Sequence, residues 1–166
     1  METISFEAIE KAWDDFFQDD EDVISKRMTG MSEEQPLIMV YLMSVGEEIL
    51  DEYEQESLFA NGAFVWFVLK EHGCDQEVTE AMLDEVEGKH AELLEDLEAL
   101  PPEEYVKHMN TVLASHNQHE LLNFMLDVLE EEVEAEDTDD ENAGMMFTVL
   151  QVIVDCLLEA KAQAQA

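Results

Sequence analysis

Apolar residues along this chain recur every three or four positions, the period of a helix with one buried face, and no segment shows the alternation of a strand. A first helix over 5–19 would bury Phe6, Ile9, Trp13, Phe16 and Phe17, with Ser5 as N-cap and Thr3 nearly as good. The acidic stretch Asp19–Asp22 interrupts it, and a short helix holds Val23, Ile24 and Met28 before Gly30. Ser32-Glu-Glu-Gln35 reads as a capping box. It predicts a second helix to about Glu54, with Pro36 tolerated in its first turn and Gly46 allowing close packing or a slight bend.

In a third helix, 57–72, Phe64, Trp66, Phe67, Val68 and Leu69 wrap most of the circumference, which predicts a deep position. Gly73 is its left-handed stop. Asp75 caps a fourth through Val78, Met82, Val86, Leu93, Leu97 and Leu100, which Gly88 divides. Pro101-Pro102 ends it and opens a fifth with Tyr105, Met109, Val112 and Leu113. Asn117-x-x-Glu120 caps a sixth, and Thr138-x-x-Glu141 a last one over 139–162, the most apolar and so predicted central. The expected architecture is all-α: a compact single-domain bundle of about six to eight helices over 1–166, with 160–166 a frayed tail and no sequence repeat.

Composition alters this picture in one respect. Hydrophobic residues make up 46% of the chain, enough for a core, but 43 Asp and Glu face only 7 Lys and Arg, a formal net charge of -36. Nucleic-acid binding needs clustered cations that displace counterions from phosphates, and scattered ones against this background cannot supply them. Anionic membranes and most phosphorylated substrates are excluded by the same repulsion. A basic protein is the expected partner, met through fast, salt-sensitive association. The N-terminal residues show no signal peptide, and the apolar stretches Leu37–Val45 and Met145–Leu158 fall short of a membrane span. Cys74 and Cys156 form no disulfide framework; Cys156 reads as core, and Cys74, after a glycine turn, as an exposed candidate. A cytoplasmic location fits these features.

Few constellations suggest chemistry. Glu87-x-x-His90 has the spacing of a diiron ligand pair, but such a site needs a second copy, which the chain lacks. His116 and His119, with Glu120, stand about a turn apart at a helix junction, where polar residues are common in any case. Asp137, Asp139 and Glu141 alternate like the start of a calcium loop, but Asn142 takes the glycine position and Thr148 the bidentate one. With no nucleophile elbow and no glycine-rich phosphate loop, the expectation is a non-enzyme without cofactor or metal.

The acidic runs differ in kind. The first is Asp14, Asp15, Asp19, Asp20, Glu21 and Asp22, and the second Glu47, Glu48, Asp51, Glu52, Glu54 and Glu56. A third follows Glu80, Asp84, Glu87, Glu95 and Glu98. The fourth comprises Glu130, Glu131, Glu132, Glu134, Glu136, Asp137, Asp139, Asp140 and Glu141. Carboxylates three or four positions apart on a helix stand roughly 5–6 Å from one another at Cβ, a row that resembles the phosphates of a strand. An ordinary acidic helix interleaves Lys to offset self-repulsion, and these runs almost entirely forgo it.

One segment adds a resemblance. Asn61-Gly62-Ala63-Phe64-Val65-Trp66-Phe67, ending in Lys70-Glu71-His72-Gly73, resembles the Asn-Gly-Gly-Phe stretch of a bacterial family of acidic, all-helical DNA-mimic proteins, with Ala63 at the second glycine. That resemblance implies a protein whose carboxylates stand in for phosphates on a basic regulator or nucleoid protein, and it leaves room for a homodimer. It implies that Asn61, Gly62, Phe64 and Phe67 are structural, with Asn61-Gly62 as the turn that sends both phenylalanines inward. Two other readings account for the same charge: adaptation to high salt in a helical protein of unrelated function, and an immunity-type inhibitor of a basic toxin.

Overall fold

The computed structural model describes every residue except Asp19, and among the described residues it holds eight α-helices and no strand. They are α1 (Phe6–Gln18), α2 (Glu21–Glu34), α3 (Pro36–Ser44), α4 (Glu52–Glu71), α5 (Glu80–Glu98), α6 (Pro102–Ser115), α7 (His119–Glu134) and α8 (Asp140–Gln165). Buried apolar side chains from all eight form one hydrophobic cluster. At its centre α4 packs along α8, with α5 and α7 on the other flanks of α8. The deep positions expected of Phe64 to Leu69 and of the last helix hold: Phe64, Val65, Leu150 and Val154 are fully buried. By length and hydropathy α8 would also pass as a membrane span, contrary to the expectation from shorter stretches, but most of that window is buried against neighbouring helices.

Several boundaries move, each for a local reason. Gly30 does not end the second element, because α2 runs through it to Glu34, and Ser32 sits inside that helix with its hydroxyl donating to the Thr29 carbonyl. The break falls at Gln35 instead, where the residue before Pro36 leaves helical space at φ -132 and ψ 60. The long helix expected to reach Glu54 stops at Ser44; Gly46 takes φ 76, and a turn replaces the slight bend. The chain's capping box is Asp51 with Glu54, each side chain accepting the other's backbone N–H. Asn61-Gly62 is no turn, since both lie within α4. Gly62 lets α3 approach so closely that a Cβ there would sit 2.6 Å from Leu42 Cδ1. Phe64 is buried all the same and Phe67 half-buried, carried inward by helical rotation. Gly73 ends α4 at φ 97, with Cys74 N–H donating to the Leu69 carbonyl. Cys74 is buried there against Met1, not exposed.

In the second half Thr79, not Asp75, caps α5, and Gly88 leaves that helix unbroken. Asp139 caps α8 while Thr138 donates to Glu132, and Asn117 donates to the Met1 carbonyl, capping nothing. The last helix extends past 162 to Gln165, with Ala160 buried and Lys161 donating to the Gly73 carbonyl.

The fold repeats what the sequence does not. Gln35, buried at the α2–α3 junction, accepts from Val78 N–H through Oε1 at 3.0 Å and donates to the Gln76 carbonyl through Nε2 at 2.7 Å. Gln118, buried at the α6–α7 junction, does the same for Ile4 N–H at 3.0 Å and the Glu2 carbonyl at 2.9 Å. Each clasp mimics one rung of a β-ladder on an extended segment. After each comes a buried aliphatic residue, then a hydroxyl N-cap: Ile4 and Ser5, which accepts from Ala8 N–H, or Val78 and Thr79, which accepts from Met82 N–H. Helices α1–α4 and α5–α8 therefore follow one plan, and each half's glutamine secures the entry of the other.

Replacing Gln118 or Gln35 by Leu leaves a buried N–H and C=O of the partner segment unpaired. Each variant is expected to lose about 1–3 kcal/mol in urea unfolding, with the Gln118→Leu loss accompanied by faster amide exchange at Ile4.

Candidate functional site

All the described carboxylates assigned to the acidic surface are exposed: Asp14, Asp15, Asp20, Asp22, Glu47, Glu48, Asp51, Glu52, Glu80, Asp84, Glu87, Glu130, Glu131, Glu134, Asp137, Asp139 and Asp140. Asp19 lies outside the described residues. Three of them also cap helices: Asp20 accepts from Val23 N–H, Asp51 from Glu54 N–H, and Asp139 from Glu141 and Asn142 N–H. Carboxylates at helix N-termini are favoured by the unpaired amides there, so part of the acidity serves the fold.

Tertiary structure gathers two runs into one place. Glu54, 2% exposed, accepts from Asp51 N–H, from Asp139 N–H at 3.0 Å and from Asn142 Nδ2 at 3.1 Å. Glu132 accepts from Ser57 at 2.6 Å and from Thr138 at 3.2 Å. These bonds dock the loop before α8 on the start of α4, so the second and fourth runs share a concavity of about 630 Å³. Its wall carries Asp51, Asp137, Asp139 and Asp140 together with Ile49, and no lysine or arginine. Ile49 and Tyr53 project from this region, 62% and 47% exposed. Beside it, Trp13 and Phe17 of α1 share a groove with Tyr53, Glu56 and Glu132, which places the helix of the first run alongside. The third run stands apart on α5. Among the described residues only two lysines pair with carboxylates, Lys70 with Glu34 and Lys89 with Glu85, so almost none of the field is neutralised.

A second feature lies between α5, α6 and α8. His90 Nε2 is 2.7 Å from Asp155 Oδ2, and His116 Nε2 is 2.7 Å from Asp155 Oδ1. Gln118 N–H donates to His116 Nδ1 at 2.9 Å, which places that ring's hydrogen on Nε2 and makes it a donor to the carboxylate. The trio floors a groove of about 480 Å³, with Val86, Leu93, Val112 and Leu158 as walls and Lys89 and Glu159 at the mouth. Burial acts to raise the Asp155 carboxyl, but hydrogen bonds from His116 and His90 outweigh it and hold the group below the ordinary carboxylate value. Behind it Cys156 is pushed up to about 12 by burial and then by Asp155 and Glu87, which leaves an inert thiol.

This arrangement rewrites the histidine constellations. His90 pairs with Asp155, leaving Glu87 on the outer face, so Glu87-x-x-His90 is not a ligand pair. The His116 ring is engaged by Asp155 and Gln118, while His119 has Nδ1 3.2 Å from the His116 carbonyl and Nε2 3.6 Å from Glu120. His116 Nε2 carries a hydrogen where a metal ligand would present a lone pair. No group of three or more His, Cys, Asp and Glu among the described residues is arranged to hold a metal ion. Asp155 and Gln151 were legible only as two polar residues one turn apart in an otherwise apolar helix, and Glu54 only as one more acid in a run.

Comparison with family models, with curated proteins and with solved structures finds no match to this chain.

Two outcomes follow. Because the Asp155 value is depressed in the folded state, its stabilisation is complete above the ordinary value near 3.8 and is lost as pH falls through the lower folded value. Asp155→Asn is therefore expected to cost about 2 kcal/mol near pH 7, with the urea-derived stabilities of the two proteins converging in acid. Tyr53 is raised by burial and then by Glu132 and Asp137. Its ultraviolet titration is expected to fall back toward the ordinary phenol value in Asp137→Asn and in high salt.

Proposed function

We propose that this chain is an acidic interaction protein, acting by binding and not by catalysis, that occupies the DNA site of a basic DNA-binding protein. The observation that carries the reading is the concavity, free of lysine and arginine, in which the second and fourth acidic runs meet with Ile49 in its wall and Tyr53 exposed nearby. Dense carboxylates on a rigid helical frame give the field that steers a basic partner. Exposed apolar side chains beside them supply anchors that an evenly charged coat would lack. The resemblance of Asn61 to Phe67 to the DNA-mimic family points the same way, with those residues as scaffold. A basic regulator, a nucleoid protein and a basic toxin all present such a partner surface, and a cytoplasmic setting accords with the first two.

A low-salt pull-down is expected to retain a basic DNA-binding protein, to release it as salt rises, and to lose it to competing duplex DNA. Glu47→Gln, Glu48→Gln, Asp137→Asn and Asp140→Asn combined should weaken that complex by about tenfold or more. The control Glu80→Gln with Asp84→Asn on α5 should change it by less than about twofold. Capture of no basic protein, or binding indifferent to DNA, would retire the proposal. The scarcity of ion pairs also favours salt adaptation as a rival. That rival requires a chain unfolded below molar salt, whereas the interaction reading expects a cooperative melt in dilute buffer.

A further inference from the structure

The two halves of the molecule each leave a groove in the same place, beside the long helix that ends the half. In the first half the groove between α1, α2 and α4 is floored by Trp66 and Phe67, and the Arg27 guanidinium stacks over Phe67 at 4.5 Å. In the second half Asp155 stands as far from the N-cap Asp139 as Phe67 does from Asp51. There the position of Phe67 is taken by Asp155, with His90 and His116 bonded to it.

Those groups are only partly occupied with one another. His116 has both ring nitrogens bonded, to Gln118 N–H and to Asp155. His90 has Nε2 on Asp155, while its Nδ1 takes no hydrogen bond from the described residues. Each Asp155 oxygen accepts one imidazole hydrogen and keeps a further lone pair. Gln151, one turn before Asp155 on α8, is 7% exposed, lines the groove and makes no hydrogen bond to a described residue. Its amide atoms stay open to the groove and are free to hydrogen-bond to what enters it. Asp155, Gln151 and His90 line one apolar-walled recess, and among the described residues the one ammonium at its mouth, Lys89, is bound to Glu85 at 3.1 Å.

We propose that this groove is a binding site for a small organic ammonium ion, an apolar body ending in one protonated primary amine. An ammonium group has three donors and no acceptor, which suits the spare lone pairs of Asp155 and the open amide oxygen of Gln151. Its charge is favoured by Asp155 and Glu159 and by the -36 of the whole chain. An anion of the same shape is repelled by those groups. The body packs on Leu93, Val112 and Leu158, and the volume of about 480 Å³ suits a ligand with one ring or a short branched chain.

The test is a titration of the full chain at 0.15 M salt, followed by calorimetry and amide chemical shifts. Phenethylammonium is compared with phenethyl alcohol, 3-phenylpropionate, ethylammonium and Nα-acetyl-lysine methylamide. Saturable binding of phenethylammonium is expected, with shifts confined to Val86–Leu93 and Gln151–Ala162, at least tenfold tighter than each of the other four. Ala162→Trp, at the exposed rim, should block the groove without touching the core, and Gln151→Met should weaken binding at unchanged melting temperature. Equal binding of the alcohol or the acid would overturn the assignment of charge. Equal binding of ethylammonium, or shifts spread over the acidic surface, would reduce the effect to counterion association. The lysine derivative binding as tightly would hand the site to a protein side chain, and wild-type affinity in Ala162→Trp would place the ligand elsewhere.

Discussion

The rest of the molecule depends on the apposition of α4 and α8, and on the buried carboxylate that fixes it at one end. The two helices supply the longest runs of buried residues, 61–66 and 149–154, and their contact is the most extensive in the fold. Apolar contact alone would let them slide. Glu54 prevents this by accepting from the backbone of its own N-cap and from Asp139 and Asn142 at the start of α8. A buried carboxylate is tolerable only when hydrogen bonds replace its hydration, and here the replacements come from both helices. The same bonds set where the second and fourth acidic runs meet, so register in the core decides the shape of the charged surface.

Charge of this size has a structural consequence beyond partner choice. Repulsion among exposed carboxylates favours expansion, and with few cations to offset it the chain relies on its core and on backbone satisfaction. Aromatic packing of Trp13, Phe16, Phe64 and Phe124 contributes on one side of α4. The two glutamine clasps contribute where extended segments would otherwise lie open, since a single side-chain amide satisfies an N–H and a C=O of the passing segment. Several acids that look like pure surface are also caps, which lets one residue type answer two needs.

The paired plan of α1–α4 and α5–α8 gives a frame for the differences between the halves. The first half floors its groove with Trp66 and Phe67, with the Arg27 guanidinium stacked over Phe67. The second places a carboxylate between two imidazoles in the equivalent position and leaves Gln151 unmatched.

The sequence by itself determined that the protein is all-helical, that its last helix is central, that Gly73 stops α4 and that its exterior is overwhelmingly anionic. These are properties of period, propensity and composition, which act over a few residues or over the sum of them. It misplaced the caps at Ser32, Asp75, Asn117 and Thr138, because several polar residues in each junction can cap and only packing selects among them. It took Asn61-Gly62 for a turn, because a glycine that admits Leu42 from another helix looks like one that bends its own. Tertiary structure alone decided that Asp155 would meet His90 and His116, residues far apart in sequence, and that two acidic runs would face one concavity. Such juxtapositions arise from the docking of helices across the core, a long-range event that leaves no local pattern in the chain.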